Sequence, residues 1–285
     1  MIPLRDNIPT DRFPVLTVAI IAINVLVFLF LQGPSFSFSG GDAVDTKPVV
    51  EYGAVPYRIT HPGDECDLAK GGESLAQEQL FCEGQPEYAE LQQLPSCSQA
   101  TTGTDVCRED ISQPPAYLTI FTSMFMHGGW LHIFFNMLFL WVFGNNVEDS
   151  MGRVRFAFFY LLGGVAAAVT QVAVNADATV PLVGASGAIA AVLGGYALLY
   201  PQARVLTIFF FFLIFFFEIP ALVMLGIWLL LQFLPAVGQL ATPDLEGGGV
   251  AYWAHIGGFL FGLAAIKLFA HRRSAGYGRP RYPVY

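Results

Sequence analysis

The sequence contains little charge. Of its 285 residues, 13% are Asp, Glu, Lys or Arg and 54% are apolar, whereas a soluble domain carries about 25% charged residues. The 14 basic residues do not form the basic footprint of a nucleic-acid-binding protein, and the glycine patterns of nucleotide-binding loops are missing. These absences exclude an ordinary soluble domain and make the lipid bilayer the first partner to consider.

Apolar windows indicate six membrane spans. A bilayer core of about 30 Å requires about 20 apolar residues per helix. The windows are residues 13–31, 128–147, 156–174, 186–200, about 220–233, and 253–269. We expect the apolar stretch that begins at 205, which Glu218 and Pro220 interrupt, to be a loop or a helix start. The first window has no small-residue cleavage site and predicts a retained span. The sequence thus predicts an all-α membrane protein with a six-transmembrane-helix core over 13–271.

The basic residues predict the orientation, because Lys and Arg concentrate in cytoplasmic loops. With six spans, all the clusters outside the long first loop fall on one side. They are Arg5, Arg12, Arg153, Arg155, Arg204, Lys267, Arg272, Arg273, Arg279 and Arg281. We therefore predict a plasma-membrane protein with cytoplasmic ends at 1–12 and 272–285. The long first loop, 33–115, is then extracytoplasmic.

Cysteine is scarce and is confined to this loop. The four residues are Cys66, Cys82, Cys97 and Cys107. An even number in an oxidising compartment predicts two disulfides, with three pairings open. A zinc site is the alternative, but no CxxC or HxxxH spacing supports it. We expect the disulfides to staple a polar loop that has little core of its own, and we expect no metal or cofactor.

Polar residues occur inside three of the apolar windows, where they are costly and usually mark function. His132 and Asn136 lie in the second window, Ser186 begins the fourth, and His255 begins the sixth. Under the predicted topology all four lie in the outer half of the membrane. Serine, histidine and asparagine at one depth are the groups that acyl transfer requires.

Small residues predict that the fourth and sixth windows pack closely, since such residues four apart let membrane helices approach. The two stripes are Ser186, Ala190 and Gly194, and Ala254, Gly258 and Gly262. This packing would bring the imidazole of His255 to the hydroxyl of Ser186, whose proton it can accept near neutral pH. No acidic residue lies in the outer half of a span, so we predict a dyad rather than a triad.

Three donors are candidates for stabilising an oxyanion. His132 and Asn136 are four apart and share one helix face. The backbone amide of Ser186, between Gly184 and Gly187, lies at a predicted helix N-terminus, where amides are free and the dipole favours negative charge.

Each of these polar residues also has a structural interpretation. Ser186 alone could be a packing residue, and an isolated His or Asn in a span could be a hydrogen-bond bridge between helices. We predict a structural role for His127. Glu148, near the cytoplasmic side, is expected to be an ion-pair partner or a helix cap, and Glu218 has no assigned role.

The segments HGGWLHIFFN, GNNVEDSMG, GASGAIAAVLGGY and AHIGGFLFG resemble the signature segments of the rhomboid family of intramembrane serine proteases. The resemblance extends over 13–271. It implies that Ser186 is the nucleophile and His255 the general base, and that His132 and Asn136 help to form the oxyanion hole.

The resemblance also implies a class of substrate and the route by which the substrate enters the site. The substrate is a membrane-spanning protein that is cleaved near its extracytoplasmic end. The fifth span, here with Trp228 and Phe233, corresponds to the family's lateral gate. Gly258 and Gly262 match the close-packed face of the last helix.

Two features depart from the family pattern. Some bacterial members have a tyrosine that stacks on the base four residues after the nucleophile, where this chain has Ala190. The first loop is also long. A catalytically inactive, client-binding member of the family is the first alternative function, although such proteins usually lack the serine or the histidine. The second is a small transporter or channel, which would place polar groups along the full membrane depth.

Overall fold

The structure, a computed structural model, describes residues 2–34, 44–71, 79–99, 106–211, 213–241 and 250–271, and the predicted tail 272–285 lies outside these ranges. Within them the helices are α1 (Val15–Phe30), α2 (Thr46–Tyr52), α3 (Pro56–Thr60), α4 (Pro86–Leu91), α5 (Ala116–Thr122), α6 (Trp130–Phe139), α7 (Asn145–Met151), α8 (Arg153–Val174), α9 (Ser186–Leu199), α10 (Ala221–Ala241) and α11 (Tyr252–Phe269). The strands are β1 (Ile2–Asp6), β2 (Cys66–Lys70), β3 (Gln79–Cys82), β4 (Cys107–Glu109), β5 (Arg204–Phe211) and β6 (Leu213–Pro220).

Helices occupy all six predicted windows. By length and composition, three of the helices in the described ranges can cross a membrane, namely α8, α10 and α11. The pair Ala116–Phe125 and Trp130–Met151, bent by 82°, is a fourth candidate if it counts as one span. Helices α1 and α9 are apolar but shorter, at 16 and 14 residues. The protein is therefore a mostly helical membrane protein, and the count of six spans stays a prediction.

Helix α9 lies at the centre of the molecule. Residues 187–197 are all buried, as expected for a helix that is apolar on every side. Helices α8 and α11 pack along it, and α10 contacts it beside α11.

Glycine brings the backbones of α9 and α11 together. A Cβ atom on Gly194 would overlap the carbonyl of Phe259, and one on Gly262 would overlap the carbonyl of Ala191. The predicted close packing of the fourth and sixth windows is thus present in the structure.

The apolar stretch after α9 is a β-hairpin, so the expectation of a loop or helix start there was wrong. Strands β5 and β6 pair antiparallel, and β1 pairs with β5 on the other side. The stretch is rich in Phe and Ile, which favour strands, and it has no helical pattern of polar residues. Glu218 lies exposed on β6. The fold is therefore not purely α-helical.

The first loop has a core of its own, contrary to expectation. Strands β3, β2 and β4 form a second antiparallel sheet. The buried residues of this core, four of which lie in β2 and β3, are Val50, Val55, Tyr57, Cys66, Leu68, Leu80, Cys82 and Ile111. Disulfides join Cys66 to Cys82 and Cys97 to Cys107. We refer to the described parts of residues 44–111 as the outer unit.

The outer unit is joined to the chain that leads into α9. Ala54 and Leu182 exchange two backbone hydrogen bonds, of 3.0 and 2.8 Å. The amide of Tyr57 donates to the carbonyl of Ala178 at 3.0 Å. The segment before Ser186 is therefore held by the outer unit as well as by the helices.

Candidate functional site

Ser186 is the first residue of α9, and the chain reaches it through a turn that requires glycine. Gly184 has φ +120°, in the region that side-chain-bearing residues avoid. Its amide donates to the carbonyl of Ser123 at 2.9 Å, which fixes the turn. The backbone amide of Ser186 lies in the first turn of α9, where amides have no partner within the helix.

The hydroxyl of Ser186 is hydrogen-bonded to His255. Its Oγ lies 2.7 Å from Nε2 of the imidazole, although the two residues are 69 positions apart. His255 lies in the first turn of α11. A Cβ on Gly258, one turn further along, would overlap the carbonyl of Gly187. Glycine at position 258 therefore permits the approach of α11 to α9 that the hydrogen bond needs.

The other nitrogen of His255 faces α10. Its Nδ1 lies 2.8 Å from Oε1 of Gln232. The ring of Trp228, one turn earlier on α10, lies 5.8 Å from the imidazole with an interplanar angle of 39°. Sequence reasoning missed Gln232. The available signal was a polar side chain inside an apolar run, the same signal that selected His132 and Asn136.

His132 lies beside the serine. Its Nδ1 accepts the amide proton of Gly128 at 3.2 Å, so in the neutral ring the proton is on Nε2. A Cβ built on Gly184 would lie 2.7 Å from this Nε2 and 3.6 Å from Ser186 Oγ. The absence of a side chain at Gly184 thus leaves room for His132 Nε2 near Ser186 Oγ.

Asn136 is placed next to His132 but points back along its own helix. Its Nδ2 donates to the carbonyl of His132 at 3.1 Å, and its side chain is 6% exposed. In the described part of the chain, no hydrogen bond joins Asn136 to Ser186. This bond uses one of its two amide protons, and no hydrogen bond in the described ranges uses the second.

The residues predicted to be structural lie around this group. His127 is fully buried, with its ring edge-on to His132 at 5.1 Å. The side chain of Gln32 donates to the His127 carbonyl at 2.6 Å and accepts from its amide at 2.9 Å. In the ranges that the structure describes, no group of three or more His, Cys, Asp or Glu could hold a metal ion.

Glu148 caps α1, one of the two roles expected for it. Its carboxylate accepts from the amides of Leu16 and Thr17 and from the Thr17 hydroxyl, at 3.0, 2.7 and 2.8 Å.

Several curated proteins are similar in sequence. Rhomboid protein 1, mitochondrial, of Saccharomyces cerevisiae is 30% identical over 66% of this chain and 54% of its own length. RHOMBOID-like protein 5 of Arabidopsis thaliana is 27% identical over 57% of this chain and 47% of its own. Rhomboid protease GluP of Bacillus subtilis is 38% identical over 28% of this chain and 15% of its own. The chain spans about half the length of the first two relatives.

The family model for the Rhomboid domain matches residues 114–272. This region is more than half of the chain, and it contains Ser186, His255, His132 and Asn136 together with the helices that carry them. The family match, the similar relatives and the four sequence segments all agree. The protein belongs to the rhomboid family.

Proposed function

We propose that this protein is an intramembrane serine endopeptidase with Ser186 as nucleophile and His255 as general base. The observation that carries the proposal is the 2.7 Å hydrogen bond between Ser186 Oγ and His255 Nε2. A serine becomes a useful nucleophile when an adjacent base can take its proton, and this contact supplies such a base.

In the proposed reaction, Ser186 Oγ attacks the carbonyl carbon of the scissile peptide bond while its proton passes to His255 Nε2. The imidazolium then protonates the leaving amine, and the peptide C–N bond breaks to leave an ester on Ser186. Water, deprotonated by the same nitrogen, hydrolyses the ester and returns the proton to Ser186. No metal or cofactor takes part in this scheme.

The negative oxygen of the tetrahedral intermediate needs donors. The candidates are the backbone amide of Ser186, Nε2–H of His132 and the second amide proton of Asn136. The first lies at the positive end of α9. The second is supported by the hydrogen bond that Gly128 makes to the opposite ring nitrogen.

We propose membrane-spanning proteins as substrates, cleaved near the extracytoplasmic face. Ser186 and His255 begin helices whose remaining residues are almost wholly apolar. The distribution of Lys and Arg supports cytoplasmic ends at 1–12 and 272–285, a six-span core over 13–271 and an extracytoplasmic outer unit. The plasma membrane is the location that we propose for the protein. Two disulfides in that unit agree with an oxidising compartment.

Labelling of the purified protein in liposomes with a serine-reactive fluorophosphonate tests this proposal. The wild type is expected to be labelled and to cleave a generic transmembrane substrate, whereas Ser186→Ala and His255→Ala do neither. Ser98→Ala, at an exposed serine of the outer unit, is the matched control and behaves as wild type. A folded wild type that is neither labelled nor active would support the client-binding alternative instead.

A further inference from the structure

Both ring nitrogens of His255 are engaged by different helices. Nε2 faces Ser186 on α9, and Nδ1 faces Gln232 on α10, at 2.7 and 2.8 Å. The proposed Ser186–His255 dyad accounts for the contact at Nε2 but not for the contact at Nδ1. The second comes from a neutral side chain on another helix.

The orientation of the Gln232 amide is fixed by a second contact. Its Nε2 donates to the carbonyl of Trp228 one turn earlier, at 3.4 Å. The oxygen therefore faces the imidazole. An amide oxygen can only accept a hydrogen bond, so Nδ1 of the neutral ring must carry the proton.

This arrangement selects the productive tautomer of His255. With the proton on Nδ1, Nε2 has a free lone pair and can accept the proton of Ser186. Without an acceptor at Nδ1, the ring could rotate or protonate at Nε2. Ala190, on α9, has no side-chain group that could hold the ring. The ring of Trp228 supplies an aromatic neighbour from α10 instead.

We propose that Gln232 is a positioning residue for the general base, acting from α10 on His255. This rests on the proposed protease function. When His255 accepts the serine proton, the Nδ1–H to Oε1 hydrogen bond gains a charged donor and strengthens. Gln232 therefore favours the protonated intermediate as well as the correct ring orientation. It does so without placing a second charge in the membrane.

The test compares Gln232→Met with Gln232→Glu in liposomes, with kcat and KM measured on one transmembrane substrate. Methionine keeps the length of the side chain but loses the strong acceptor, and it is expected to lower kcat roughly 10- to 100-fold with KM unchanged. Glutamate keeps an acceptor oxygen and should retain clearly more activity than methionine. Leu231→Met, at the adjacent exposed position on α10, is the matched control and leaves both constants unchanged.

The relative activity of Gln232→Met and Gln232→Glu distinguishes a positioning role of Gln232 from a role in packing alone. If Gln232 only filled space, methionine would be tolerated, and a glutamate inside the span would be the more damaging change. A Gln232→Met protein with wild-type kcat, or a Glu variant no more active than the Met variant, would overturn the inference. Gln232→Leu replaces the Met variant if that protein does not fold. A wild type unreactive towards fluorophosphonate would contradict the proposed function itself.

Discussion

At the scale of single residues, the site depends on positions where a side chain is absent. Gly258 on α11 meets the carbonyl of Gly187 so closely that a Cβ atom cannot fit. Among the described residues, no atom outside the local backbone of α10 lies within 4 Å of the Cβ position of Gly226 on this helix. The two glycines form a matched pair for testing whether helix approach sets the hydrogen bond between Ser186 and His255.

Gly258→Ala is expected to lower the free energy of unfolding by about 1–3 kcal/mol, the usual cost of overpacking, and to reduce fluorophosphonate labelling of Ser186. Gly226→Ala should be neutral or stabilising by about 0.5–1 kcal/mol, because alanine favours a helix over glycine. Denaturation in detergent and the labelling rate measure both effects. Equal stability and equal labelling rates of the two variants would contradict the role assigned to the close approach of α9 and α11.

The principal site residues could be predicted from the sequence because polar side chains are rare in its apolar windows. Ser186 and His255 were identified in this way, and the structure brings them together. Gln232 was missed because only an acidic residue was expected as a second partner of His255. The pattern also cannot show which side chain an isolated glutamine faces, because that depends on how α10 crosses α11.

At the scale of elements, polar contacts near the predicted cytoplasmic side fix the helices and strands. The N-terminus of α1 receives the carboxylate of Glu148, which is only 3% exposed. Since α1 has no side-chain cap from its own N-cap residue, Pro14, this contact from α7 replaces a local cap.

Glu148→Ala is expected to destabilise the protein by about 1–2 kcal/mol, the cost of losing a helix cap. Glu148→Gln should lose less, because its amide oxygen still accepts one of the α1 amides. Thermal unfolding in detergent, followed by circular dichroism, ranks the three proteins. The wild type is expected to be the most stable of the three proteins, followed by Glu148→Gln and then Glu148→Ala. A different order would exclude capping as the role of Glu148.

Strand β1 carries a partly buried carboxyl that makes stability depend on pH. Asp6 accepts hydrogen bonds from the side chains of Asn146 and Tyr196, and burial raises its pKa from 3.8 to about 6. Folding therefore favours the protonated form. The contribution of the protonated Asp6 carboxyl to the stability of the fold is complete below pH 3.8 and is lost as the pH rises through about 6.

We therefore expect the Asp6 contribution to Tm to fall between pH 4.5 and pH 7, roughly the interval in which this carboxyl ionises. Asp6→Asn removes the ionisation and should flatten this part of the profile. Parallel Tm measurements on both proteins across the interval test this, and identical profiles would contradict it.

The β-hairpin of β5 and β6 could not be predicted as strands. A half-buried strand alternates apolar and polar residues, but the stretch 205–217 is almost wholly apolar. Such a run does not distinguish a strand from a buried helix. Pairing with β1, from the other end of the sequence, is a tertiary contact that no local pattern contains.

At the scale of the whole molecule, the chain consists of a helical part and a disulfide-linked outer unit. The sequence predicted the windows of the helical part, because the bilayer imposes one length and one composition on each span. It did not predict the core of the outer unit, whose buried residues are dispersed among many charged ones. The cysteine pairing was also open, since four cysteines allow three arrangements.

Replacing Cys66 and Cys82 by serine is expected to lower the stability of the outer unit by about 3 kcal/mol, the value for a closed loop of this length. Trypsin should then cut after Lys70 and Arg108, which lie in strands β2 and β4. Mass spectrometry of the digest detects these cuts. The oxidised wild type should resist trypsin, and the reduced wild type, which loses both disulfides, should be cut at least as readily as the variant. Equal resistance of variant and wild type would contradict a stapling role for this disulfide.

The backbone bridge between Ala54 and Leu182 has a consequence for protein engineering. Leu182 lies four residues before Ser186, and its only described strand-like partner belongs to the outer unit. That unit is therefore not an exchangeable module. A chimaera that takes its first loop from another family member replaces one side of the support of the chain that leads to Ser186. Grafts that retain residues 53–57 preserve this support, and grafts with junctions inside that stretch disturb the chain that leads into α9.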